Sequence, residues 1–174
     1  GYAIDTEKFY ENVMNRYKYG GLDTPGLYLD ETTMRICYSH RRLFAQLAKE
    51  LVKQGDNARA QKVLAYAEQA IPAYNVPQVY ESGSYDIATA YASIGETGKA
   101  ITLLNDLISE SRDYIDWAFS LGDSRIEMVQ RDCLYKFWQW NQCNELLKDM
   151  DKERYKQSNQ QFEEKYMRLA QLMN

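Results

Sequence analysis

Apolar residues recur along the chain at helical spacing. Phe44, Leu47, Ala48 and Leu51 follow one another by three, one and three positions. Ile126, Val129, Cys133, Phe137 and Trp140 step by three, four, four and three, and Phe162, Tyr166, Leu169 and Met173 by four, three and four. Residues three and four apart share one face of an α-helix, so each set predicts an amphipathic helix with its apolar stripe turned to a core. No strand signal competes, and the pattern predicts an all-α chain.

The polar punctuation places the helix ends. Asp5 is the expected N-cap of a helix reaching to about Tyr19, residues 20–26 break it with three glycines and Pro25, and Asp30 caps the next helix. Pro72 and Pro77 each lack an amide donor and disfavour helical geometry just before them, so residues 73–81 read as a loop. Gly55-Asp56 and Gly95-Glu96 each pair a left-handed helix stop with an acid at the next helix start, which predicts two helical hairpins.

Their spacing adds a repeat. Phe44, Leu47, Ala48, Leu51, Gly55, Ala60, Leu64, Ala67 and Pro72 reproduce the spacing of the tetratricopeptide pattern, and Ile87, Ala88, Tyr91, Gly95, Ala100 and Leu104 begin a second copy. The two small residues, Ala60 and Ala100, lie 40 positions apart, beyond the usual period of about 34, and the Pro-containing loop accommodates the excess. A third, degenerate hairpin is expected around the Ile126–Trp140 stripe, with Asn141 at its corner and Leu146 and Met150 in its second arm. The tail over residues 145–168 carries six acids and six bases and reads as a long C-terminal capping helix, with Ser158-Asn159 as its weak point. The expected architecture is a single all-α, tetratricopeptide-like domain: an N-terminal helix and Gly/Pro loop at 5–29, repeat one at 30–72, a loop at 73–81, repeat two at 82–121, and the degenerate repeat with its cap at 122–174.

Composition narrows the classes. The 174 residues suffice for one domain with a real core, and the 45% hydrophobic and 26% charged residues are those of a globular chain. A net charge of -4 lacks the footprint of a general nucleic-acid binder, so no nucleic-acid partner is expected. Mean hydropathy is -0.62, and the most apolar stretch, residues 63–80, contains Glu68 and two prolines, so this chain is not expected to insert into a membrane. Cys37, Cys133 and Cys143 are odd in number and lack C-x-x-C spacing, which encodes neither a disulfide framework nor a zinc ribbon. The start at Gly1-Tyr2, without Met or a signal peptide, reads as a cut end of a longer chain.

Three segments carry a more specific likeness: Phe9-Tyr10-Glu11-Asn12-Val13-Met14 with Tyr19-Gly20-Gly21-Leu22-Asp23, then Tyr28-Leu29-Asp30-Glu31, then Tyr38-Ser39-His40-Arg41-Arg42-Leu43-Phe44. Over residues 4–117 the chain resembles the C-terminal soluble region of large membrane proteins of unknown function from Gram-negative bacteria. That resemblance implies a multi-spanning N-terminal half similar to protein O-mannosyltransferases and other lipid-linked-sugar transferases. It also implies an extracytoplasmic, periplasmic location. The full-length parent is then a candidate glycosyltransferase, of which this region is an appendage.

The chain's own chemistry is sparse. His40 is the only histidine, and a triad or His-based general base must use it. Ser39 points about 100° away on a helix, so a structural or surface role is the expected one. The segment Ser93-Ile94-Gly95-Glu96-Thr97-Gly98-Lys99-Ala100 approaches a phosphate loop, but a serine stands at the first glycine and Ala100 at the hydroxyl position, which leaves the helix-corner reading. No closed ligand set for a metal and no cofactor motif is present. Glu110, Asp113 and Asp116 beside Trp117 offer an acidic, aromatic-edged site or, as the expected alternative, a solvated helix face.

Arg41, Arg42, Lys49 and Lys53 supply the opposite sign. In a tetratricopeptide unit the first helix lines the groove, which resemblance assigns to Arg42, Lys49 and Lys53 in the first unit and to Tyr85 and Thr89 in the next. A groove receiving an acidic peptide or an anionic glycan is one reading, and scattered solvated lysines are the other. Among the 15 tyrosines and three tryptophans, Tyr74, Tyr80 and Trp117 are the expected exposed aromatics, able to stack on a sugar or peptide. The functional expectation is a non-catalytic helical-repeat domain that docks a protein or peptide segment, which includes the membrane half of its own parent. A carbohydrate-binding accessory module is the alternative.

Overall fold

Asp5, Asp30 and Asp56 open helices by one device in the computed structural model, which describes residues 4–173. The Asp5 carboxylate accepts the Lys8 amide at 3.0 Å, Asp30 the Thr33 amide at 2.7 Å and Asp56 the Arg59 amide at 3.0 Å. Each satisfies an amide that a first helical turn leaves without a partner. The described residues contain no strand and form seven α-helices: α1 Thr6–Glu11, α2 Glu31–Lys53, α3 Asn57–Ala70, α4 Ser84–Ser93, α5 Thr97–Ser120, α6 Gln130–Met150 and α7 Lys152–Leu172. The chain divides into two compact units, Gly1–Leu103 and Leu104–Asn174. Gly1 itself lies outside the described residues.

In the first unit α2 packs against α3, α4 and α1. Its corner with α3 closes through Gly55 at φ 77°, with the Asp56 amide on the Leu51 carbonyl at 2.9 Å and the Gly55 amide on that of Val52 at 3.0 Å. Gly95 repeats this at φ 83°, with Glu96 to Tyr91 at 2.9 Å and Gly95 to Ala92 at 3.2 Å. The bond pair needs a left-handed residue, which glycine supplies without strain. Phe44, Leu47, Ala48, Leu51, Ala60, Leu64, Ala88 and Ala100 are all fully buried. Each large one contributes about 1.5–3 kcal/mol by leaving water, and the alanines let helix backbones approach.

The N-terminal helix is shorter than expected. After α1 the backbone widens into a π-helical turn at Asn12–Arg16, and Tyr17 is extended. The physical reason is aromatic: Tyr17 and Tyr19 leave the helix to set their rings edge-on against His40, and Tyr19 also meets Phe44 and Tyr66.

The second unit corrects the expected third hairpin. Asn141 makes no corner, because α6 runs unbroken through it to Met150. Phe137, Trp140, Cys143, Asn144 and Leu147 are instead buried along one continuous helical face. The turn falls at Asp151, whose carboxylate caps the Arg154 amide at 3.0 Å. Nor does α7 break at Ser158-Asn159: the Trp140 indole N–H donates to Ser158 Oγ at 2.8 Å, and the Ser158 hydroxyl donates to Asn144 Oδ1 at 2.6 Å. Phe137, Trp140, Phe162 and Tyr166 pack around that chain, with Phe137 and Trp140 edge-on to the rings of α7.

Candidate functional site: the α2/α4 surface

The cationic positions of α2 lie seven and four residues apart, so Arg42, Lys49 and Lys53 share one exposed helix face. The fold brings this face beside α4. Arg42 Nη1 donates to the Glu81 carbonyl at 2.8 Å and Nη2 to Ser39 Oγ at 3.0 Å. Lys49 Nζ stands 4.0 Å from Asp86 Oδ1 on α4, and Lys53 Nζ is 2.8 Å from Glu50 Oε1. Tyr85 on α4 stacks on Tyr80 with centroids 4.9 Å apart, and the Thr89 hydroxyl donates to the Tyr85 carbonyl at 3.0 Å.

These cations divide into two kinds. Arg42 is built into the fold: its fork holds a main-chain carbonyl, and its stem covers Gly83. Gly83 sits at φ 85°, where a Cβ would come within 3.0 Å of the Arg42 Cα and Cγ, so α4 starts against the α2 backbone. Lys49 and Lys53 are more than half exposed in ion pairs, and such pairs contribute about 0–1 kcal/mol. They can exchange their partner carboxylates for an incoming one at small cost. The surface is nonetheless charge-balanced, since Asp86 and Glu50 answer the two lysines.

Arg41, the sequence neighbour of Arg42, points the other way and is only 2% exposed. Its Nη1 donates to the Pro77 carbonyl at 2.8 Å and Ser82 Oγ at 3.2 Å, and its Nη2 to the Val76 and Ile71 carbonyls at 2.6 and 3.3 Å. Four neutral oxygens thus hold a buried guanidinium, and burial pushes its pKa down to about 10. Arg41 shapes residues 71–82 and leaves the surface. Asn75 holds the preceding loop: its Nδ2 donates to the Leu22 and Thr24 carbonyls, each at 2.7 Å, and its Oδ1 accepts the Leu27 amide at 3.2 Å.

The expected aromatics go to separate places. Tyr74 is 59% exposed with its hydroxyl on the Asp23 carbonyl at 2.9 Å, while Tyr80 is half-buried in the stack with Tyr85. Trp117 is 48% exposed and belongs to the second unit, where it leans on Tyr114 at 5.2 Å. The acids beside it do not form an open site. Glu110 holds Lys136 of α6 at 2.9 Å and Asp116 holds Lys165 of α7, while Asp113 is exposed.

His40 Nδ1 is buried and meets no hydrogen-bonding group, its ring standing between Tyr17 and Tyr19. The Ser39 hydroxyl donates to the Arg35 carbonyl at 3.0 Å. Lys99, the lysine of the phosphate-loop-like segment, is engaged by Glu68 at 2.9 Å and lies over the Tyr91 ring. Cys133 and Cys143 are buried free thiols on one helix, and burial pushes the Cys143 thiol up to about 12, which leaves it inert as a nucleophile. Among the described residues no group of three or more His, Cys, Asp or Glu is placed to hold a metal, and no helix is long and apolar enough to cross a membrane.

Sequence reasoning missed Arg41 as a clamp, Asn75, Gly83 and Asp86. The only sequence signal for Gly83 was its place just before α4; Arg41 and Asn75 carried none, since their partners are main-chain carbonyls 30 or more positions away. Comparison of the chain with protein-family models, curated proteins and solved structures finds no match.

Proposed function

We propose that this chain is a non-catalytic, tetratricopeptide-like interaction domain whose α2/α4 surface docks an acidic peptide segment. The observation that carries this is the pair Lys49 and Lys53, exposed on one face of α2 in weak ion pairs, one of them to Asp86 of α4. A peptide carboxylate gains a cation there, and the Tyr80–Tyr85 stack at the start of α4 offers apolar area on the same pair of elements. Supporting the repeat reading are the two Gly-acid corners, alike in bonding, and the burial of the small residues Ala60 and Ala100. The resemblance over residues 4–117 extends the proposal: the domain is an appendage on the periplasmic face of a membrane glycosyltransferase-like protein, and the segment it docks belongs to the membrane half of that parent.

Titration of the chain with acidic peptides tests the reading. Lys49→Gln with Lys53→Gln is expected to weaken binding at least tenfold, with a cooperative melting transition retained. Unaltered affinity in that double variant removes the surface from the account. Arg42 is left out of the test because its loss would free the 79–83 segment. The stacked Tyr80 and the half-exposed Trp117 favour a second reading, glycan binding, whose mark would be glycan-array signals lost in Tyr80→Ala or Trp117→Ala.

A further inference from the structure

The second unit contains a pocket of about 220 Å3 between the middle turns of α5 and the first turns of α7, and its chemistry differs from the rest of a chain with net charge -4. Arg112 and Arg154 both line it, together with the polar side chains of Asn105, Ser109, Gln157 and Gln161, and no Asp or Glu among the described residues does. Arg112 Nη1 donates to Gln161 Oε1 at 3.2 Å and Nη2 to Ser109 Oγ at 3.2 Å. Both partners are neutral, and among the described residues no carboxylate is paired with this guanidinium. Arg154 meets Asp151 through Nε at 3.0 Å, which leaves its two Nη groups.

The hydrogen-bond directions decide what such a pocket takes. A guanidinium only donates, so Ser109 and Gln161 must turn their oxygens to Arg112. What they have left are donors: the Ser109 hydroxyl hydrogen and the Gln161 amide NH2. With three remaining N–H groups on Arg112, the pocket presents donors and positive charge, and an uncharged ligand would leave that charge unanswered.

We propose that this pocket binds a small oxyanion, a phosphate or a carboxylate group, with Arg112 as the central contact, Ser109 and Gln161 as flanking donors and Arg154 at the rim. The volume is many times what one water needs, so it has room for a small anion. This inference is independent of the α2/α4 reading, since it rests on residues of the other unit.

The test is titration of the whole chain with sodium phosphate and, separately, sodium acetate at constant ionic strength set by chloride, read by thermal shift and by NMR of the arginine and glutamine side-chain N–H signals. A saturable response is expected for at least one anion, with the Arg112 and Gln161 side-chain signals moving. It is expected to weaken at least tenfold in Arg112→Gln and to persist in Lys62→Gln, an exposed cation of the first unit. The stronger of the two anions names the ligand class. Should Arg112→Gln melt without cooperativity, Arg154→Gln serves in its place, with a loss of at least threefold expected. Saturation by neither anion overturns the proposal, as does an equal response in wild type and the arginine variant, or a loss of equal size in Lys62→Gln.

Discussion

The two units hold their helices together by different means. In the first, buried polar side chains grip main-chain carbonyls: Arg41 fixes the segment 71–82 and Asn75 fixes the loop before α2. In the second, partly exposed ion pairs from α5 to α6 and α7 surround an aromatic core, with one indole–hydroxyl–amide chain inside it. The difference follows from what each must order. The first unit contains two long irregular segments whose carbonyls need partners, whereas the second is nearly all helix and needs only its faces matched. A buried donor that serves several carbonyls is far harder to replace than a pair at the rim, because its loss leaves those acceptors dry and unpaired.

Breaking Arg41 therefore has the largest expected effect. Arg41→Met keeps the stem and removes the donors, and chemical denaturation is expected to show a loss of about 3–5 kcal/mol, since several buried acceptors lose their partner at about 1–3 kcal/mol each. Lys165→Met in the second unit, whose partner Asp116 is half exposed, is expected to cost about 1 kcal/mol, and equal losses would erase the contrast. Gly83→Ala comes next, at about 2–4 kcal/mol, since it adds left-handed strain to a clash with the α2 backbone.

Smaller still is the corner of the second unit. Asp151→Ala is expected to cost about 1 kcal/mol, as loss of an N-cap does. Asn141→Gly is expected to destabilise by a few tenths of a kcal/mol, as glycine does inside a helix. A stabilising Asn141→Gly would restore the corner to that position.

The smallest effect is on pH. Thr33 amide donation holds the Asp30 carboxyl below the usual carboxylate range, and the Arg59 side chain does the same first of all for Asp56 and Glu7. A depressed acid contributes stability that is complete above its unfolded pKa and is lost as pH falls through the folded one. Melting temperatures are thus expected to hold down to about pH 5 and to fall from about pH 4 downward. Asp56→Asn should flatten that fall in the first unit.

Legibility followed the range of the interaction. The caps at Asp5, Asp30 and Asp56 and the corners at Gly55 and Gly95 were readable because cap and partner lie within five residues of each other. The cationic positions of α2 were expected together from the tetratricopeptide likeness, but the pairing of Lys49 with Asp86 was not, since that required α4 to be placed. Asn141 misled because a polar residue after an apolar stripe looks like an end. The continuing buried residues, Asn144 among them, show that a polar side chain with a partner can sit on the core face.

The sequence by itself determined that the chain is helical, where most helices begin and which residues are buried in the hairpins, since those follow from local backbone energetics and from period. Only the tertiary structure decided that Arg41 is a clamp while Arg42 and the α2 lysines stay on the surface, that Asp151 makes the last corner, and that Arg112 faces a pocket without a carboxylate. These outcomes depend on which carbonyls, acids and rings arrive from distant parts of the chain, and a charge or an amide carries no mark of its partner until packing supplies one.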